Sequence, residues 1–525
     1  MTAKESISRA ALIISAAALL SKVLGFLRDI VIAAKFGTSN TTDAFLVALT
    51  LPEFFIDVLA GGALTSAFIP VFSGYLAKEE NEEASRIFST IFNLLLMSLI
   101  FITALFLLNS TKLLGFIAPG FSEETLKLAV KISYIIIPSV IFMGLASYLS
   151  GVLHSTKYFL LPALRQTVLN ICIILSALFF ARLWDIKSLA VGFLAGSVIQ
   201  LLMLVPAVIR RKFKYTLCLS VKHQGIKNIG AMWIPLIIAL VFSNAVGIIV
   251  KMFASTLPEG RIAALHFAHR LKHLPIVVFG VTLATAIFPF ITWQAAEKNM
   301  EKFKSSVTRA LKIIFFITFP LCLGMAVFRV PMVRIFFERG SFTEISTQLT
   351  SSALMFYLPG AVAVSLTYVI IRAFYALKDT VTPLKATVFG LSVMLALGWF
   401  LKNTLMHDGL AIAHSISETV IFIYLFVYLM KKTKIFDLPD ILMSFVKIAA
   451  VSVVSVMPVG FLYSLLNKNY DLESMPYQIG AVLISGCVSV LLYMVFSGLL
   501  KVDEAGYFLK IIKKKLNKGA NNNEG

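Results

Sequence analysis

The stretch RIAALHFAHRLKHLPIVVFG, Arg261 to Gly280, carries His266, His269, Arg270 and His273 at i, i+3, i+4 and i+7, one continuous polar stripe on an α-helix. A second stretch, LSKVLGFLRDIVIAAKFG from Leu20 to Gly37, places Ser21, Gly25, Arg28 and Asp29 on one helical face, with Lys22 at its edge. Asp43, Glu53, Asp57 and Lys251 also stand in apolar surroundings. Glu53 and Asp57 are four apart, hence neighbours on a helix that Pro52 is placed to break or kink. The set leans cationic, with Lys22, Arg28, Lys251, Arg270 and Lys272 against Asp29, Glu53 and Asp57. A guanidinium presents a bidentate fork of donors that matches phosphate, so the chemistry these residues suit is holding an anionic, phosphate-bearing cargo. Structural roles compete at each position. Arg28 with Asp29 can simply fix helix register, the histidines can line a polar cavity without titrating or can sense pH, and Lys22 and Lys272 can snorkel to an interface. The chain has no Walker loop, no Gly-x-Ser-x-Gly elbow, no metal-spaced His/Cys set and no dinucleotide fingerprint, so no enzyme is expected.

The elements that must position these groups are membrane helices. Of the 525 residues, 58% are hydrophobic and 14% charged, with mean hydropathy +0.89, whereas soluble domains run near a quarter charged. About fourteen apolar stretches are long enough to span a bilayer core of roughly 30 Å. They lie near 8–36, 43–75, 87–110, 125–152, 160–181, 188–209, 229–254, 261–293, 306–329, 347–376, 382–401, 409–430, 441–466 and 477–500. A charge at the centre of such a span costs about 2.5–3.5 kcal/mol, and half a dozen facing lipid would cost on the order of 15–20 kcal/mol. The charged faces therefore point to protein or to a watery cavity. The net charge of +20 concentrates on alternate connections and on the tail, which by the positive-inside rule puts both termini in the cytoplasm and argues against nucleic acid as a partner. The Lys-rich tail is placed to lie on anionic lipid. The N-terminal ISRAALIISAAALLS reads as the start of an uncleaved first span, and Cys172, Cys218, Cys322 and Cys487 as buried small hydrophobes.

An internal repeat organises the spans. At an offset of about 220 residues, GFSEE (Gly120–Glu124) meets SFTEI (Ser341–Ile345), Pro138 meets Pro359, Lys157 meets Lys378 and Pro162 meets Pro383. Two residues out of register, GGALTSAFIP (Gly61–Pro70) meets GVTLATAIFP (Gly280–Pro289). Six spans fit in the offset, so both copies enter the membrane with the same orientation. The expected fold is an all-α integral membrane protein with about fourteen transmembrane helices, in two parallel six-helix repeats around a central cavity plus two extra C-terminal helices. The expected boundaries are 1–210 for the first lobe, 211–435 for the second, 436–500 for spans 13 and 14 and 501–525 for the tail. The charges gather on spans 1 and 2 of the first copy and 7 and 8 of the second, the arrangement for one shared site served by alternating access.

In this order, SKVLGFLRD, FGTSNTTDAFLVALTLPEFF, GGALTSAFIPVF, FAHRLKHLP, GVTLATAIFPFI, ERGSFT (Glu338–Thr343) and FYALKDTVTPLK (Phe374–Lys385) resemble the MurJ (MviN) family of lipid II flippases, in the multidrug/oligosaccharidyl-lipid/polysaccharide exporter superfamily. The resemblance implies a multi-pass protein of the bacterial cytoplasmic membrane that moves lipid II, the undecaprenyl-diphosphate-linked peptidoglycan precursor, from the inner to the outer leaflet. It implies a headgroup cavity between the lobes, a tail groove along spans 13 and 14, and functional weight on Ser21, Arg28, Asp29, Asp43 and Arg270. Membrane lipids and the peptidoglycan synthesis machinery are the implied partners, and no cofactor is. The chain departs from some members at Ile56 and Asp57, where they carry an Arg, and at His273, where they carry an acid. Some members bind sodium through acids or amides of spans 7 and 11. Asn244 is the candidate on span 7, while ATVFGLSVMLALGWF (Ala386–Phe400) has no Asp, Asn or Glu, so coupling to membrane potential, proton or sodium stays open. The alternatives are an exporter of another lipid-linked oligosaccharide or small molecule, and a non-transporting membrane scaffold.

Overall fold

Inside a bilayer every backbone polar group must be satisfied by the segment that carries it, so apolar runs of this length fold as helices. The computed structural model describes residues 3–60, 63–211, 213, 215–433, 438–469 and 475–506, and no strand occurs among them. The helices are α1 Ala3–Phe36, α2 Asn40–Ala48, α3 Thr50–Ala60, α4 Ala63–Ala77, α5 Asn81–Ile117, α6 Glu123–Ile136, α7 Ser139–Ser155, α8 Leu160–Trp184 and α9 Lys187–Ile209. They continue as α10 Gln224–Ala254, α11 Arg261–Pro275, a π-helical turn Ile276–Val281, α12 Thr282–Ala296, α13 Met300–Val327 and α14 Arg329–Phe337. The last four are α15 Glu344–Ala376, α16 Val381–Thr433, α17 Leu438–Asn469 and α18 Met475–Leu499.

Ten helical runs among the described residues are long and apolar enough to cross a membrane, against the expected count of about fourteen. Local breaks and mergers account for part of the difference. The expected spans at 382–401 and 409–430 are one helix, α16, interrupted at Met406 (φ 50°, ψ −131°). The expected span at 43–75 is cut into α2, α3 and α4, the first cut falling at Leu49, just before Pro52 withdraws an amide from the next turn. Side-chain caps set several starts: Ser39 accepts from the Thr42 amide at α2, Ser122 from Thr125 at α6 and Asn299 from Lys302 at α13.

The duplication is visible in the backbone itself. Non-glycine residues with positive φ are uncommon, yet they recur at the sequence offset of the repeat: Glu79 (60°) with Lys298 (56°), Lys157 (60°) with Lys378 (57°), and Asp185 (49°) with Met406 (50°). Glu79, Lys157, Lys298 and Lys378 each follow shortly after a helix end, where a left-handed residue turns the chain out of the helix.

The chain divides into two compact units, residues 1–263 with 339–346 and residues 264–338 with 347–525. In the first, α1 packs on α8 and α8 on α9, while α10 lies against α3, α4 and α5. Its core holds Phe68, Phe72, Ile87 and Tyr148, with the Tyr148 hydroxyl donating to the Phe88 carbonyl at 2.8 Å. The basic connection before α10 is pinned to a polar patch of α5. Asn93 donates to the carbonyls of Thr216 and Cys218 and accepts from Tyr215, and the amides of Thr216 and Ser220 donate to Ser89 and Thr90. In the second unit α13 packs on α17 and α17 on α18, with Phe315 stacked on Phe445 and Tyr493 donating to the Phe316 carbonyl. Leu483, Ile484, Val490 and Leu491 leave α18 with an exposed apolar surface of the kind that lipid covers.

Candidate functional site

The polar face of α1 is organised around Arg28. Its Nε and Nη2 both donate to Asp29 Oδ1, at 3.1 and 2.9 Å, and its Nη1 donates to Asn170 Oδ1 on α8 at 3.2 Å. Successive residues do not face each other on a helix, so the long Arg28 side chain folds back to reach its neighbour. Asn170 completes the link by donating from Nδ2 to the Ser21 carbonyl at 3.1 Å. Asp29 is buried, while 14% of the Arg28 side chain stays exposed. Ser21 thus takes part through its backbone, and Lys22 is exposed.

Asp43 has a different office. It is buried, and its two oxygens accept from the Gly260 amide at 2.7 Å and the Ala263 amide at 2.8 Å, which caps the start of α11 and sets a negative charge at the positive end of that helix. Lys251 reaches the interruption between α2 and α3, where Nζ donates to the Leu46 carbonyl and the Thr50 hydroxyl, both at 2.9 Å, with Glu53 3.9 Å away. Asp57 lies on α3, and its side chain is outside what the structure describes. Around Asp43 the chain forms a tight knot. The Ser341 amide donates to the Ala34 carbonyl at 2.8 Å, and the hydroxyls of Thr38 and Ser346 are 2.7 Å apart. Gly37 and Gly340 both have φ +61°, and a Cβ on either would stand 2.2 Å from a backbone oxygen, of Ser341 and Ala34 respectively. The repeat shows here too: the Gly120 amide, from the matching GFSEE turn, donates to Ser255 at the end of α10.

In the second unit the stripe of α11 meets α15 and α16. The His269 ring lies 4.6 Å from His273, 5.8 Å from Tyr357 and 5.9 Å from His414. Lys272, which the sequence offers to the cationic set with snorkelling as its competing role, is only 1% exposed. Its Nζ lies 3.3 Å from His414 Nδ1 and 5.1 Å from the centre of the Tyr357 ring. The snorkelling role fails for a plain reason: the inward arc of α11 takes 272 along with 269 and 273, so the amine is closed in by neighbouring helices before it can reach an interface. His266 packs on Phe267, and Arg270 is half-buried. Tyr357, His414 and Glu418 were absent from the sequence expectation. His414 and Glu418 carried a usable signal, two ionisable residues four apart in an apolar run; Tyr357 carried none.

Asn244 donates to the Leu240 carbonyl of its own helix, and among the described residues no group of three or more His, Cys, Asp or Glu is placed to hold a metal. Of the four cysteines only Cys322 is buried. Cys487 is exposed, and Cys172 and Cys218 are half-buried, Cys218 on the hydrogen-bonded connection before α10.

The sequence matches the family model described as lipid II flippase MurJ over residues 32–479. A probable lipid II flippase MurJ of Buchnera aphidicola subsp. Schizaphis graminum is 27% identical over 502 residues, covering 95% of this chain and 97% of its own length. The lipid II flippase MurJ of Thermosipho africanus is 28% identical over 511 residues, 97% of this chain and 100% of its own. Among solved structures, a lipid II flippase MurJ in an inward closed conformation superposes with a TM-score of 0.80 at 26% identity, covering 94% of this chain and 99% of that one. An inward-facing multidrug resistance MATE transporter of the MOP superfamily shares the fold, with a TM-score of 0.69 at 16% identity over 81% of this chain and 98% of its own.

Proposed function

This chain belongs to the MurJ lipid II flippase family, and on that premise we propose that it moves lipid II from the inner to the outer leaflet of the bacterial cytoplasmic membrane. The observation that carries the chemistry is the setting of Arg28. Asp29 and Asn170 fix the guanidinium, yet each terminal nitrogen has two N–H bonds and gives only one of them to those partners. A fork of donors therefore remains for a diphosphate, on a group whose charge is already balanced and whose geometry is set before the ligand arrives. Arg270 is assigned the same role in the second unit. The protein acts as a secondary transporter by alternating access of its duplicated lobes, 1–210 and 211–435, with both termini cytoplasmic, and α17 and α18 hold the prenyl chain.

The test is complementation of a bacterium depleted of its own flippase, scoring lipid II at the outer leaflet for wild type, Arg28→Ala and Arg270→Ala at matched membrane levels. Rescue by wild type and loss in both variants supports the function and the two assigned residues. Rescue by all three keeps the function and removes the assignment. A wild-type protein that inserts but leaves lipid II inside, in hosts carrying the matching stem peptide, refutes the function.

A further inference from the structure

Beside Arg270, the second unit encloses a cluster of ionisable groups to which headgroup recognition gives no task. At its centre Lys272 meets a single hydrogen-bond partner among the described residues, His414 Nδ1 at 3.3 Å, beneath the face of the Tyr357 ring. Every element packed around the pair contributes a titratable or charged side chain. From α11 come His269, Arg270 and His273, from α13 Cys322, from α15 Tyr357, and from α16 Glu418, one turn beyond His414. Glu418 is the acid that Lys272 feels, and no carboxylate is within ion-pair distance of the amine among the described residues. The cluster thus sets an amine, a guanidinium and three imidazoles against one carboxylate, in a medium where like charges a few ångströms apart cannot all persist. Its proton count is shared and limited.

The central hydrogen bond also tolerates either count. An ammonium donates to the imidazole Nδ1. After one proton has left, a neutral amine still donates to Nδ1 or accepts from a protonated one, with no heavy atom moved. Three residues after Lys272 the helix passes through Pro275 into the π-helical turn Ile276–Val281, whose wider i→i+5 bonding shifts the helical register and is frequent at functional sites. An ionisable group kept at this depth is a functional site by default, and one that accommodates two proton counts beside a register-shifting turn is suited to a proton as its ligand.

We infer that Lys272 and His414, with His269 and Glu418 around them, form a proton-binding site that loads a single proton from one side of the membrane and releases it to the other in each transport cycle. No covalent bond other than N–H forms or breaks, and the proton taken from one aqueous phase is the one delivered to the other. The inference rests on the flippase reading for its cargo, and it names the ion that drives that cargo.

Two measurements on the full-length protein test it. In nanodiscs, with histidine ring nitrogens labelled with ¹⁵N and the His414 signals assigned by their loss in His414→Gln, those signals should shift through about pH 5 to 9, the range in which a histidine site can cycle. The midpoint should move in Lys272→Arg, which keeps the charge but cannot release a proton. His414 signals that stay fixed across that range overturn the proton site, whatever the protein transports. In liposomes of phosphatidylethanolamine and phosphatidylglycerol, a gradient of one pH unit at zero potential should change wild-type lipid II translocation by up to about tenfold, the factor one unit carries. His414→Gln should lose that response while binding lipid II to within about threefold of wild type, and Lys272→Arg should lose the response too. Lipid II that moves at a rate indifferent to the pH gradient overturns the coupling and leaves the flippase reading intact. Lipid II that does not move under any gradient refutes the flippase reading, and the nitrogen titration, which needs no lipid II, still decides the proton site.

Discussion

Replacing Asp43 by alanine should loosen the start of α11 far more than replacing it by asparagine. The carboxylate accepts two short hydrogen bonds, 2.7 Å from the Gly260 amide and 2.8 Å from the Ala263 amide, in a setting that leaves it only 3% exposed. Alanine leaves both amides without an acceptor, at about 1–3 kcal/mol each, and removes a charge that favours the helix start by roughly 0.3–1 kcal/mol. A total near 3 kcal/mol corresponds to a change of roughly 150-fold in a local opening equilibrium. Asparagine keeps one acceptor oxygen and should lose about 1–2 kcal/mol, within the usual range for a weakened cap. Hydrogen–deuterium exchange on the peptide spanning residues 258–265, in nanodiscs, reads that opening directly. The expected order is wild type slowest, Asp43→Asn intermediate and Asp43→Ala fastest, by about two orders of magnitude at the amides of Gly260 and Ala263. Exchange in Asp43→Ala as slow as in wild type would mean that the cap does not hold this turn, and the reasoning from burial and geometry would be refuted.

Gly340→Ala should lower thermal stability clearly, because it combines a left-handed residue, about 1–2 kcal/mol, with a Cβ 2.2 Å from the Ala34 oxygen. Gly74→Ala, with nothing within 4 Å of its Cβ, is the control expected to be neutral or slightly stabilising, and equal melting shifts for the two would count against the knot. Asp379, on the connection between α15 and α16, is pushed up by partial burial but pulled down further, to about 2, by Lys432 at 2.5 Å and by the Thr382 amide and hydroxyl. Its native value lies below the unfolded one of about 3.9, so its stabilisation is present above about pH 4 and disappears as the pH falls towards 2. Asp379→Asn should therefore melt lower than wild type at pH 7, with the gap shrinking to about a third near pH 2.5 if both remain soluble; a gap as large there as at pH 7 contradicts the pairing. Asn93→Ala removes the contacts to Tyr215, Thr216 and Cys218 together. It should speed proteolysis within residues 211–222 by several-fold, at a local cost of about 1–2 kcal/mol, and an unchanged cleavage rate would show that the connection is held by other contacts.

The membrane class, most of the spans, the duplication and the expense of Arg28, Asp29 and Arg270 were legible in the sequence, because a bilayer imposes its terms locally. Each apolar run must be helical and each charge inside one must be accommodated, whatever the rest of the chain does. Proline and left-handed positions repeat with the duplication for the same local reason, which is why Lys157 and Lys378 turn their helices alike. The partners were not legible. Arg28 meets Asn170 across 142 residues and Asp43 meets Gly260 across 217, and no periodicity encodes such distances. Nor could hydropathy tell which arc of an apolar helix faces lipid and which faces protein, since both surroundings are apolar and packing between helices, not water, decides. The same ambiguity hid the fate of Lys272: a lysine near the end of a polar stripe satisfies the sequence equally well snorkelling or enclosed. Only the packing of α15 and α16 around α11 turned it inward onto His414, because a side chain becomes buried through neighbours that arrive from distant parts of the chain.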